Sequence, residues 1–290
     1  MVLVAYAQSG LKKLYDPGTS QRPMRVIDMM SGSGTNVVKT IEYQHGLAAK
    51  RGKSPYEVVA IFTDNKGSKA QQLAENFSLP WECDDITDFY AGRGHPNKRD
   101  LSLRPAYFER VIRKLEQYKP DAIVLGGFMS VVTEPFLSWC LGVNVHPADL
   151  SIAGNNGPKY TGDNAVLNQI LAGETELRSS THIVRERVDQ GEVLMVSEPL
   201  AVDLERAAEE LFIEGKMRID ERAIGLGFLR KPQHSYMAIM VAGRHQDWLK
   251  QKGDWAVLPQ TVEWIADGRF ALGPDGVYVD GLWTPNGYRL

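Results

Sequence analysis

Arg25-Val26-Ile27-Asp28-Met29-Met30-Ser31-Gly32-Ser33-Gly34-Thr35-Asn36-Val37-Val38 is the stretch that decides the fold. The run to Met30 is short, apolar and partly β-branched, as a buried strand should be. Ser31 to Asn36 then sets glycines among small polar residues, and Val37, Val38, Ile41 and Leu47 recur at roughly helical spacing. Strand, glycine turn and helix open a βα unit. Turn N–H groups beside a helix N-terminus attract anions, so Gly32 to Asn36 reads as a phosphate site or, equally, as a tight turn that needs glycines. It is not a dinucleotide fingerprint, because Val37 stands where the third glycine belongs; nor is it a P-loop, because no Gly-Lys-Ser/Thr follows.

Outward from this unit, short apolar runs alternate with amphipathic segments, the pattern of an α/β fold with a mostly parallel, twisted sheet flanked by helices. Strands are expected at Val58 to Thr63, Ala122 to Leu125 and Gly142 to Val145. Helices are expected after Lys66 and over Tyr107 to Tyr118. The polar stretch before Pro105, with Gly92, Gly94 and Pro96, reads as a surface loop, as does Ser151 to Gly162. A helix over Asn164 to Ala172 precedes strands at His182 to Val184 and Val193 to Val196. Leu204 to Lys252 is charged and helical in spacing, chiefly a solvated face, with a lid or an oligomer contact as its other uses. Trp255 and Trp264 pack a C-terminal helix, and glycines and prolines after Phe270 suggest a closing hairpin.

The 290 residues are 43% hydrophobic and 24% charged, near the average for soluble globular proteins. No apolar run is long enough to span a membrane, and Met1 to Pro23 does not resemble a cleavable signal, so a cytoplasmic protein without membrane partners is expected. Cys83 and Cys140 fit no metal-ligand spacing and read as buried thiols, and no metal is expected. A net charge of -3 argues against broad nucleic-acid binding.

Val143-Asn144-Val145-His146-Pro147 carries the chemistry. Alternation puts Asn144 and His146 on one side of a strand that Pro147 ends, and ligands of open α/β sheets bind outside such strand ends. Asp189, in the turn-like Arg185-Glu186-Arg187-Val188-Asp189-Gln190-Gly191, says little alone. His182 reads as a satisfied core side chain.

Taken together and in order, these segments resemble the folate-dependent formyltransferases, most closely the glycinamide ribonucleotide transformylases. Ser31-Gly32-Ser33-Gly34-Thr35-Asn36 is similar to their phosphate turn, Gly127-Phe128-Met129 to their G-F-M, and Asn144-Val145-His146-Pro147 to their N-x-H-P. Ser180-Thr181-His182-Ile183-Val184, Val188-Asp189-Gln190-Gly191 and Trp264-Ile265-Ala266-Asp267-Gly268-Arg269 extend the likeness. It implies a Rossmann-like formyltransferase domain over 24–290, with 1–23 an N-terminal extension, 204–252 a helical insertion, and no separate RNA-binding domain.

The resemblance implies Asn144, His146 and Asp189 as catalytic residues, with Gly34, Thr35 and Asn36 on the substrate phosphate. Met129, Ser130, Val131, Val132, Arg185 and Val188 would hold 10-formyltetrahydrofolate, and Asp254 falls where the family has a carboxylate near the substrate ribose. Asn144 and a protonated His146 would steady the oxyanion, with Asp189 favouring that charge. The implied reaction takes formyl from the folate to the amine of a small phosphorylated acceptor, first glycinamide ribonucleotide. The loop Asp149 to Asn164 is longer than the family's P-S-L-L-P-K-Y-x-G and lacks its L-H-T. Formylation of an amino-sugar nucleotide, hydrolysis of 10-formyltetrahydrofolate and non-catalytic folate or nucleotide binding therefore stay open.

Overall fold

A computed structural model describes residues 10–95, 97–218 and 224–290. Pro96 and the first nine residues of the N-terminal extension lie outside the described residues.

The chain opens with β1 (Lys12–Lys13) and β2 (Met24–Met30), then α1 (Thr35–Arg51), β3 (Tyr56–Thr63) and α2 (Ala70–Phe77). The polar segment that follows is no plain loop. It contains β4 (Trp81–Cys83) and α3 (Ile86–Ala91). Asp85 caps α3 by accepting from Asp88 N–H, and Ile86, Phe89 and Tyr90 bury one helical face that the surrounding charges conceal. Next, α4 (Arg104–Leu115) starts earlier than the spacing suggests because Pro105 occupies its first turn, where a missing N–H costs nothing.

After β5 (Ala122–Leu125), α5 (Phe136–Trp139) and β6 (Leu141–His146), the expected loop carries a small hairpin, β7 (Ala153–Gly154) and β8 (Gly157–Pro158). Then come α6 (Ala165–Ala172), β9 (Glu176–Leu177), β10 (Ser180–Ile183), β11 (Val193–Val196) and β12 (Leu200–Ala201). Helices α7 (Leu204–Ile213), α8 (Leu226–Leu229) and α9 (Ser235–Leu249) follow; a π-helical turn at Lys250–Asp254 joins α9 to α10 (Trp255–Ala266). The end is β13 (Phe270–Gly273), β14 (Gly276–Val279), β15 (Leu282–Trp283) and β16 (Tyr288–Arg289).

The main sheet has eight strands in the order β16-β11-β10-β6-β5-β2-β3-β4. Strands β4, β3, β2, β5 and β6 run parallel, whereas β10 is antiparallel to both β6 and β11. From β2 the chain winds to β3 on one side and returns to β5 on the other. The carboxyl ends of β2 and β5 therefore flank a topological switch point, where α/β sheets leave a crevice.

One apolar core, with Val26, Met30, Ile41, Val257 and Ile265, lies under α1 and α10; a second, with Ile27, Phe62, Tyr107 and Phe108, covers the other face. Segment 204–252 is more than a solvated face. Ala207, Leu211, Val241 and Leu249 pack with Val166 and Ile170 of α6 into a third core. β1 of the N-terminal extension pairs with β13 in a four-stranded C-terminal sheet, and β16 returns to the edge of the main sheet. Among the described residues no helix is long and apolar enough to cross a membrane.

Candidate active site

A cleft of about 440 Å³ opens at the switch point. It is lined by the turn Ser31 to Asn36, the stretch Leu125 to Val132 after β5, Asn144 to Pro147 at the end of β6, and Gly162, His182, Arg185, Val188, Asp189, Lys250 and Asp254. Every residue expected at the site from the sequence reaches this one cleft.

The glycine turn is shaped by its surroundings. Gly34 has φ of 68°, a left-handed conformation that favours glycine, and a Cβ there would sit 2.5 Å from Leu73 and 2.6 Å from Met30 Sδ, so those side chains would have to shift. No side chain caps α1 and no acidic residue stands in its first turn, which leaves its N-terminal dipole facing the cleft without a built-in anion. Asn36 is buried; its amide donates towards Asp254 Oδ2 at 3.5 Å, and its Oδ1 has no partner among the described residues.

His146 is buried, and its Nε2 lies 2.8 Å from the Tyr160 carbonyl, which can only accept, so Nε2 carries a hydrogen. Its Nδ1 faces Asp189 Oδ2 at 3.4 Å. Burial lowers the His146 pKa below its ordinary value, outweighing the opposing pull of Asp189 and the Tyr160 carbonyl. Desolvation thus opposes the protonated His146 that the resemblance implies, while acceptors face both of its ring nitrogens. Burial alone would raise the Asp189 carboxyl; the neighbouring His182 and His146 and the Gly162 N–H together bring it below the ordinary value. Asp189 adopts φ of 56°, a left-handed conformation that aspartate tolerates better than most residues, and Gly162 N–H donates to its Oδ2 at 2.8 Å. The Nδ1 lone pair and this carboxylate therefore form a place for one proton.

His182 is the residue the sequence undervalued. It is buried and its Nδ1 lies 3.0 Å from the Ile183 carbonyl, as a satisfied core side chain should be. Yet its Nε2 also lies 3.1 Å from Asn144 Nδ2 and 3.5 Å from Asp189 Oδ1, bridging two site residues. Its antiparallel partner is Asn144 itself; that β10–β6 register is the signal, and a single strand pattern does not contain it. With Nδ1 turned to the Ile183 carbonyl, the His182 Nε2 can accept one Asn144 N–H, which leaves the other amide hydrogen for a ligand.

At the far end of the cleft Asp254 sits on the π-helical turn, accepting from Ser179 Oγ at 2.6 Å. The turn passes so close that a Cβ on Gly253 would be 2.4 Å from the same Oγ. Burial pushes the Asp254 carboxyl up to about 6, against the Ser179 and Asn36 hydrogen bonds and the charge of Lys250. Met129 and Val188, 66% and 48% exposed, give the cleft an apolar rim. Arg185 pairs with Glu192 at 2.8 Å beside that rim.

Known proteins share this chain's family and fold. The formyl transferase family model matches residues 24–218. Phosphoribosylglycinamide formyltransferase of Escherichia coli (strain K12) is 23% identical over 268 residues, 91% of this chain and 98% of its own length. The trifunctional purine biosynthetic protein adenosine-3 of Drosophila melanogaster is 30% identical over 178 residues, 61% of this chain and 12% of that protein. Among solved structures, phosphoribosylglycinamide formyltransferase from Coxiella burnetii has a TM-score of 0.61 at 20% identity, covering 93% of this chain and 100% of that one; the likeness is one of fold. The matched span takes in the glycine turn, the end of β6 and the Asp189 turn alike: the chain belongs to the formyl transferase family and is a formyltransferase.

Proposed function

We propose that the chain transfers the formyl group of 10-formyltetrahydrofolate to the amine of glycinamide ribonucleotide, with Asn144, His146 and Asp189 as its catalytic residues. The observation that carries this is the convergence of those three side chains, between an uncapped glycine turn and an apolar rim, in one cleft. Relatives named for the same acceptor support it.

The folate donor fits the side bounded by Met129 and Val188, whose exposed apolar surface suits a flat ring, with backbone groups of Ser130, Val131 and Val132 and the Arg185 turn beside it. The acceptor's phosphate suits the N-terminus of α1 at Gly34, Thr35 and Asn36, and Asp254 suits the ribose hydroxyls. Attack by the acceptor amine on the formyl carbon makes a tetrahedral oxyanion. Asn144 donates its second amide hydrogen to that oxygen, an interaction stronger in the transition state than before it. The amine's proton passes to the His146 Nδ1–Asp189 pair, directly or through one water, and returns to the departing folate nitrogen as the carbon–nitrogen bond breaks. The products are formylated acceptor and tetrahydrofolate.

The test is tetrahydrofolate release with and without glycinamide ribonucleotide. Release that requires this acceptor supports the reading. Release indifferent to it shows a hydrolase, and release on an amino-sugar nucleotide alone shows a different acceptor.

A further inference from the structure

Asp64, just after β3, takes no part in lining the cleft, yet it is buried at 4% exposure between two of the cleft's walls. Its Oδ1 accepts from Ser31 Oγ at 2.6 Å, and its Oδ2 accepts from Ser130 Oγ. The same Ser31 Oγ accepts from Met129 N–H at 2.9 Å. Ser31 begins the glycine turn, and Met129 and Ser130 belong to the wall after β5. Neighbouring bonds brace the junction: Asn65 Nδ2 donates to the Ser31 carbonyl at 2.8 Å, and Lys69 N–H donates to the Gly32 carbonyl at 3.0 Å. On the far side, Ile86 N–H of α3 donates to the Asp64 carbonyl at 3.0 Å.

A buried carboxylate is a costly way to fill space, since an apolar side chain of similar size packs without a desolvation penalty. Burial raises the Asp64 carboxyl above its ordinary value while the two seryl hydroxyls oppose that rise. What the carboxylate supplies, and an apolar side chain does not, is a fixed distance between two loops, each held by a charge-assisted hydrogen bond.

We propose that Asp64 is a positioning residue that couples the two subsites: through Ser31 it holds the turn facing the acceptor, through Ser130 the wall facing the folate, so that occupying one presets the other. The inference rests on the assignment of those subsites under Proposed function. Coupling of this kind is reciprocal, and each ligand tightens the other by the same factor.

The experiment measures the Kd of tetrahydrofolate by titration calorimetry, with and without saturating glycinamide ribonucleotide, on the full chain and on Asp64→Asn, Ser130→Ala and Ser130→Thr. The native chain should bind tetrahydrofolate tighter with the acceptor present, on the order of 5-fold or more. That ratio should fall towards one in Ser130→Ala and Asp64→Asn and return in Ser130→Thr, which keeps the hydroxyl. A merely structural role would lower the melting temperature and leave the ratio unchanged. Should Asp64→Asn fail to fold, the two Ser130 variants carry the comparison. Both ligands binding with a ratio of one in the native chain, or with a ratio indifferent to these substitutions, overturns the coupling and leaves the assigned function standing. Failure of either ligand to bind the native chain overturns both.

Discussion

The decisive chemistry is at the residue scale, in how burial and neighbours divide one proton. With its pKa held below the ordinary value, His146 is suited to take the amine's proton as a neutral acceptor. Activity on the acceptor should therefore fall as pH drops through the depressed His146 pKa and hold as pH rises past 6.5. An acid limb from Asp254, held up to about 6, overlaps it, and Asp254→Asn should remove that part of the profile. A rate falling from pH 6 upward would restore the charged His146. Asp189→Asn should lower kcat by roughly 10²–10⁴-fold with little change in melting temperature, since it removes the proton's second holder. Asn144→Ala should cost about 10²–10³-fold, the loss expected for one oxyanion donor.

Asp28 gives a residue-scale prediction of another kind. It is fully buried in β2, neither carboxyl oxygen has a partner among the described residues, and burial raises its pKa well above 3.8. A raised folded pKa gives a contribution present below the unfolded value and lost as pH rises, at about 1.4 kcal/mol per pH unit until the folded pKa is passed. Asp28→Val should therefore be more stable than the native chain at pH 7, with the advantage shrinking towards pH 4 in urea titrations. An advantage that does not vary with pH contradicts this account.

Elements were legible in the sequence wherever one periodicity governed them. The β2–turn–α1 unit and the strands β3, β5 and β6 stand essentially where apolar runs and glycines put them. Legibility failed at β4 and α3, whose charges outweigh a short buried face, and at β16, which reaches the main sheet only through tertiary pairing with β11. The turn before α1 also yields a prediction. Gly34→Ala forces a Cβ onto Met30 and Leu73 at positive φ and should cost at least about 1–2 kcal/mol of stability. It should also weaken acceptor binding, measured as an increase in KM for the acceptor larger than any change in KM for the folate.

Across the whole molecule, the site gathers residues distant in sequence, and that gathering is where sequence reasoning ran out. Asn144 and His146 follow from one strand's alternation and its end. Asp189 needed the family likeness, and His182 and Asp64 needed the register of neighbouring strands and the packing of loops. The 204–252 segment builds a third core with α6 and leads through the π-helical turn to Asp254, so it carries one wall of the cleft.

The central claim is that this cleft moves a formyl group from folate to glycinamide ribonucleotide by way of Asn144, His146 and Asp189. Its most direct test is a mass-spectrometric count of formylated glycinamide ribonucleotide against tetrahydrofolate released, for the native chain and Asp189→Asn. The account predicts equal amounts of the two products from the native chain and a loss of both in Asp189→Asn. Tetrahydrofolate without formylated acceptor, or an Asp189→Asn variant as fast as the native chain, would contradict it.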